Sequence, residues 1–331
     1  QARRRRQGAA QRLPPRQPFR GLITLAGGPG IVCFGAANMD VLAQTVAEPI
    51  MGSSNPSRAE ARVGGVAANV AMTLAKAGER PALVTCVGDD VDGRAIRARL
   101  EETGVDCSAL IEKPGAPTGR YLAVEDGDGR LIIGAADARA VETLTSVEIE
   151  AAARAFPGAR LWFAETNLPA NALASLIQAA ERMRAALAFD LVSVAKAARL
   201  HGVPRALLSK LSIVFCNLQE ARSLLHPEDL SAGGGDAGSA AATLWERLGE
   251  PGAVVVTNGP DPVAIAGKDG RRLVEADPLD TAGRVTTGAG DALIAGALAA
   301  FRSGKPLADA VAQGRRWAAA AIARDVNLDL R

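Results

Sequence analysis

From residue 31 onward, short apolar runs alternate with longer stretches in which apolar side chains recur every three to four positions. "IVCFGA", "PALVTCVG", "LWFAE", "ALAFD", "LSIVFCN" and "AVVVTNG" are of strand length. Among them, "GGVAANVAMTLAKAG", "DDVDGRAIRARLEETG", "PANALASLIQAAERMR" and "LQEARSLL" carry the period of amphipathic helices, the first two closing at Gly78 and Gly104. A strand apolar at nearly every position is buried on both faces, and strands alternating with helices form βαβ units. The pattern predicts an α/β fold: a doubly wound, mostly parallel sheet flanked by helices. No internal repeat is evident.

Two stretches break this rhythm. Residues 41–63, and "TGRYLAVEDGDGRLIIGAAD" at 118–137, alternate with period two, and the second contains an Asp-Gly turn that reads as a hairpin. Neither fits easily into a parallel sheet. Together they predict a small β-sheet lid over the C-terminal edge of the main sheet, where open α/β folds bind ligands.

Composition narrows the partners. Only 3% of the 331 residues are aromatic, which argues against stacking platforms for single-stranded nucleic acid. The net charge of +2 conceals an asymmetry, because seven Arg and no acid fall within the first thirty residues. With these set aside, 31 basic residues face 36 acidic ones, so the rest of the chain is mildly acidic and no nucleic-acid partner is expected. Residues 1–30 lack the apolar core and small-residue cleavage site of a secretory signal. They read as a disordered or adventitious extension, with organellar targeting as the alternative, ahead of one large domain over residues 31–331. No run of eighteen apolar residues is present, so no membrane partner is expected. Cys33, Cys86, Cys107 and Cys216 are scattered and only two His occur, which disfavours zinc and suits reduced thiols in a cytoplasmic protein.

Three stretches carry candidate chemistry. In "VTTGAGDALIAGALAA", Gly288 and Gly290 permit turns closed to other residues, and the helix that follows points free N–H groups back at the loop. Such a terminus suits a phosphate or a developing oxyanion. Asp291 there is either a base that removes a proton from a nucleophile or an ordinary helix N-cap. In "GAANMD", Asn38 and Asp40 lie two apart and face one side of an extended segment, suited to neighbouring sugar hydroxyls or to a turn. In "GGVAAN", the glycines admit close ligand approach and Asn69 opens a helix, again a ligand site or a simple cap. "GGGDAG" at 233–238 follows no strand and reads as a loop rather than a dinucleotide site, and no Gly-Lys-Ser/Thr follows a Gly-rich loop.

Taken in order on one α/β chain, "GAANMD", "GGVAANVAMTLAKAG…VTCVGDDVDG" and "VTTGAGDALIAGAL" resemble the PfkB (ribokinase-like) family of carbohydrate and nucleoside kinases across residues 31–331. The resemblance implies ATP-dependent phosphorylation of a hydroxymethyl group on a small sugar or nucleoside. It implies Asp291 as base and the backbone of Gly288, Ala289 and Gly290 as anion hole. Asn38, Asp40, Gly65 and Asn69 match the family's sugar-contacting positions. Asn217 and Glu220 match an N-x-x-E motif associated with magnesium and phosphate, and Thr257, Asn258 and Gly259 match a turn near ATP. Val285 stands where many members carry the Asp of a monovalent-cation site, so the resemblance lends that cation no support here. Within the family, "SSNPSRAEARVGGVAANVA", "PTGRYLAVEDGDGRLIIGAADAR", "FDLVSVAKA" and "VNLDL" resemble segments of the pseudouridine-specific branch, with Leu191 and Leu328 in place of proline. That likeness implies substrate contacts at Thr118 and Tyr121, and some relatives place a substrate carboxylate at the position of Glu165. Ribokinase-type and adenosine-type activities are the alternatives within the class, and a non-catalytic sugar or nucleoside sensor the alternative outside it. Lid pairing in related kinases implies a possible homodimer.

Overall fold

The computed structural model describes residues 28–226, 228, 235–275 and 288–323. Most of the Arg-rich extension, the threonines before Gly288, Val285 and the terminal "VNLDL" lie outside the described residues.

A nine-stranded sheet runs in the order β13-β12-β11-β10-β9-β8-β1-β4-β5. Its parallel body comprises β1 (Ile31–Phe34), β4 (Pro81–Gly88), β5 (Leu110–Lys113), β8 (Leu161–Glu165), β9 (Ala186–Asp190), β10 (Ile213–Asn217) and β11 (Ala253–Thr257). β1 shows why the apolar runs are continuous: Val32 and Phe34 enter the core on one side of the sheet, Ile31 and Cys33 the core on the other. Helices α1 (Val66–Lys76), α2 (Val91–Thr103), α7 (Ala289–Arg302) and α8 (Leu307–Ala323) cover the second side. Helices α3 (Ser146–Ala155), α4 (Ala170–Met183), α5 (Leu218–Ser223) and α6 (Ala237–Arg247) cover the first, around Phe34 and Trp162, whose rings stand 5.2 Å apart. The parallel order ends at β12 (Val263–Gly267) and β13 (Gly270–Val274), an antiparallel hairpin on the sheet edge that the alternation of strands and helices did not predict. A two-residue Lys-Asp turn before Gly270 reverses the chain too tightly for a helical crossover.

The lid is a separate four-stranded sheet in the order β3-β2-β6-β7, from β2 (Asn38–Thr45), β3 (Ser57–Gly64), β6 (Arg120–Glu125) and β7 (Leu131–Asp137). Two hairpins, far apart in sequence, join through a parallel β2–β6 pairing. Asp40, Arg62 and Tyr121 stand in register on one face, of which Asp40 and Arg62 line a cavity; Met39, Val41, Leu122, Val124 and Ile133 alternate onto the other, where Met39 packs against the core. Beyond Met39 this second face is apolar and turned outward, with Leu122 and Ile133 exposed on it. No helix among the described residues is long and apolar enough to cross a membrane. All four cysteines are free and buried.

Candidate active site

A cavity of about 610 Å³ lies between the lid and the helices on one side of the sheet: Asp40, Glu60 and Arg62 line it from the lid, Asn69 and Thr73 from α1, Gly288 and Asp291 from the start of α7, and Trp317 from α8. Its size suits a small organic ligand.

Gly288 caps α7 at φ 84, a left-handed conformation natural to glycine, and no side chain bonds the helix start. Among the described residues nothing lies within 4 Å of the position a Cβ would take at Gly288 or at Gly290. The first amides of α7, from Ala289 onward, carry the positive end of a fourteen-residue helix, and no side chain of a described residue caps them. This is a site for an anion such as a phosphoryl group.

Asp291 sits in the first turn of α7 rather than at its cap. Asn69 Nδ2 donates to its Oδ2 at 2.8 Å across 222 positions of sequence. Asp291 keeps some accessible surface toward the cavity, yet protein surrounds it closely enough that burial pushes its pKa up to about 7. The Asn69 hydrogen bond opposes this rise, and the charges of Glu165 and Asp40 add to it. A carboxylate poised near neutrality, beside a bare helix terminus, can accept a proton from an attacking hydroxyl.

Asn69 comes from α1, which starts earlier than "GGVAAN" suggested. Gly65 is the cap at φ 93, and a Cβ there would stand 2.6 Å from the Ala36 carbonyl oxygen. Asn69 is thus a residue of the helix interior, turned toward Asp291. Asn38 and Asp40 both lie in β2, on one face as spacing required. Asn38 is buried against Gly119, while Asp40 lines the cavity with its Oδ1 buried and without a partner among the described residues. Burial pushes Asp40 up to about 6, opposed by the charges of Arg62 and Lys196. An orphaned acceptor in a cavity wall is an opening for a ligand hydroxyl. Tyr121, half-buried, stands opposite Asp40 in the β2–β6 ladder, with its phenol over Gly134.

Other expected contacts point into the protein. Glu165 is fully buried; Ala36 N donates to Oε1 at 2.6 Å and Asn167 N to Oε2. Burial raises its pKa against both bonds. Thr118 precedes β6 and pins the lid to the start of α2. Its hydroxyl donates to Asp90 at 2.5 Å and accepts from Gly88 N at 2.9 Å, while Asp90 caps α2 through Gly93 N at 2.8 Å. Neither Glu165 nor Thr118 lines the cavity.

Asn217 and Glu220 form a reciprocal capping box at α5. Glu220 N donates to Asn217 Oδ1 at 2.9 Å, and Asn217 N and Nδ2 donate to the two Glu220 oxygens at 2.9 and 2.7 Å. Thr257 pairs with Asn217 across the β10–β11 ladder. Asn258 donates to Asp261 at 2.6 Å, Gly259 has φ 55, and the turn is held by Arg315 of α8 bonding Pro260 O and Asp261 O. Among the described residues no group of three or more His, Cys, Asp or Glu side chains is disposed to hold a metal ion.

Three residues that sequence reasoning did not single out belong to this region. Asp190 lies beside Glu165 in the β8–β9 ladder; burial drives its pKa far up, helped by the charges of Glu220, Asp291 and Glu165. Lys196 is half-buried, and its charge acts on Glu165 and Asp40. Arg62 lines the cavity, and the period-two sequence Arg58, Glu60, Arg62 carries the signal of a charged strand face.

Residues 29–325 match the pfkB family of carbohydrate kinases. The chain is 27% identical over 286 residues to the pseudouridine kinase of Escherichia coli (strain K12), covering 86% of this chain and 88% of that one. The fold is similar to that of ribokinase from Thermotoga maritima, with TM-score 0.73, 23% identity, and 89% and 93% of the two chains covered. Arabidopsis thaliana ribokinase complexed with ribose and ATP gives TM-score 0.67 at 22% identity, covering 89% and 91%. The chain belongs to the pfkB family, whose members are phosphotransferases acting on sugar or nucleoside hydroxyls.

Proposed function

We propose that this pfkB-family chain transfers a phosphoryl group from ATP to the 5′-hydroxymethyl group of a nucleoside, with pseudouridine as its foremost substrate. The observation that carries the reading is the placement of Asp291. Its carboxylate, held by Asn69, stands in the first turn of a helix whose cap, Gly288, lines the same cavity as Asp40, which has a buried oxygen with no partner among the described residues. Likeness to the E. coli pseudouridine kinase over most of both chains supports the choice of substrate.

In this reading Asn38 and Asp40 take the ribose hydroxyls and turn the 5′-hydroxyl toward Asp291. Asp291 accepts the hydroxyl proton as the oxygen bonds to phosphorus and the bond to the ADP oxygen breaks. The amides of Gly288, Ala289 and Gly290 stabilise the charge spread over the transferring group, which is most of what phosphoryl transfer asks of a protein. Tyr121 closes the sugar side from the lid. The bare start of α7 fits a nucleotide's terminal phosphate, and Thr257, Asn258 and Gly259, with Asn217 beside them, form the wall for the rest of the nucleotide. ATP brings the phosphoryl group, with magnesium on its phosphates neutralising charge. Glu220 has both oxygens occupied by Asn217, so it would reach that metal through water or phosphate. The apolar outer face of the lid supports pairing of two lids in a homodimer.

The test is a coupled ADP-release assay with ATP and magnesium against pseudouridine, uridine, adenosine, ribose and fructose 6-phosphate. Selective turnover of pseudouridine is expected. Preference for another acceptor would discard the substrate, and silence with all five would discard this nucleoside-kinase reading.

A further inference from the structure

The cleft-facing side of the lid holds a cation that the reaction as drawn does not use. Arg62 and Glu60 lie two apart on β3, hence on one side of the strand, and both line the cavity that contains Asn69 and Asp291. Arg62 pairs directly with Asp40 across the β2–β3 ladder, and Asp40 pairs with Tyr121 across β2–β6. The three side chains therefore form a row across the lid above the cleft.

Arg62 is half-buried but makes no hydrogen bond or ion pair among the described residues. Its charge reaches Asp40 and Glu125, neither within ion-pair distance. None of its nitrogens is among the buried polar atoms that lack a partner, so water solvates its five N–H donors, and a ligand with well-placed oxygens in the cavity can take that water's place. A planar guanidinium donates best to paired or neighbouring oxygens. In the proposed reaction the sugar hydroxyls have an acceptor in Asp40. One strand over, Arg62 is placed for a group attached to the sugar.

We propose that Arg62 is a specificity-determining residue that donates to carbonyl oxygens of the base carried by the sugar, with Glu60 available to accept from a neighbouring ring N–H. An adjoining carbonyl and N–H form the edge of a uracil-type ring, and a donor and an acceptor on one strand face complement that edge. This rests on the nucleoside-kinase reading. It adds to that reading the residue that distinguishes a base-bearing sugar from a bare one.

Arg62→Met and Arg62→Lys in the full chain test it. The readouts are kcat and KM for pseudouridine and the inhibition constant of ribose, which has the sugar but no base. Arg62→Met should raise the KM for pseudouridine about 10- to 100-fold, the range for losing a charged hydrogen bond, with kcat and ribose inhibition near wild type. Arg62→Lys should recover only part, because an ammonium cannot present a planar pair of donors. An unchanged KM in Arg62→Met overturns the proposal. So does ribose inhibition that weakens in step with the KM, or full recovery by Lys, since either means that Arg62 serves only as a counter-charge to Asp40. Wild-type turnover of pseudouridine, measured alongside, reports separately on the reading of function.

Discussion

Glu165 and Asp291 stand at the same edge of the structure, and burial raises the pKa of each. Glu165 has a backbone N–H on each oxygen and no access to the cavity. Asp291 has the Asn69 amide on one oxygen and faces the cavity with the rest. The first carboxylate is consumed in shaping the Gly35–Ala36 turn, so tightly that a Cβ at Gly35 would come 2.2 Å from it. The second retains hydrogen-bonding capacity on the cavity side. Two helix starts repeat the contrast: Asn217 and Glu220 close the cap of α5 on itself, whereas at Gly288 no side chain of a described residue caps α7. Burial of a charged group thus marks a site only when the group's partners are missing.

The largest effect should come from removing the base. Asp291→Asn keeps an acceptor for Asn69 but cannot take a proton, and turnover should fall about 10²–10⁴-fold with sugar binding retained. The same change should not cost stability at pH 8. The folded chain holds the Asp291 proton up to about pH 7, against 3.8 as the ordinary value, so ionising it destabilises the fold as pH rises through that window. Asn removes this cost, and thermal unfolding at pH 8 should show Asp291→Asn melting no lower than wild type. Near-normal turnover would erase the contrast with Glu165.

Glu165→Gln should invert the pattern. An amide offers one acceptor where the turn needs two, leaving a buried N–H unsatisfied at a cost of about 1–3 kcal/mol. Denaturant unfolding should record that loss, and turnover per folded molecule should fall far less than in Asp291→Asn. A catalytic defect as large as that of Asp291→Asn, with unchanged stability, would move Glu165 into the chemistry.

Much of this contrast is legible in the sequence, and the remainder is tertiary. The apolar runs identify the parallel strands because burial on both faces demands them. The double glycine and the Gly-Ala-Gly-Asp stretch identify the places where backbone must turn sharply into α1 and α7. Period-two alternation finds both lid hairpins, although their parallel β2–β6 pairing joins residues some eighty positions apart and leaves no local trace. The partners of Asp291, Glu165 and Thr118 are equally non-local: Asn69, Ala36 and Asp90 reach them only after the sheet has assembled. The motif Asn-x-x-Glu is ambiguous by nature, since one spacing serves a capping box and a ligand site alike.

The central claim is that ionised Asp291 takes the substrate proton. Its most direct test is the pH dependence of kcat/KM for wild type and Asp291→Asn, from pH 5 to 9. The account predicts a wild-type rate that falls tenfold per pH unit below about 7, where Asp291 becomes protonated, and a residual rate in Asp291→Asn that lacks that limb. A wild-type profile flat to pH 5, or the same limb surviving in Asp291→Asn, would contradict it.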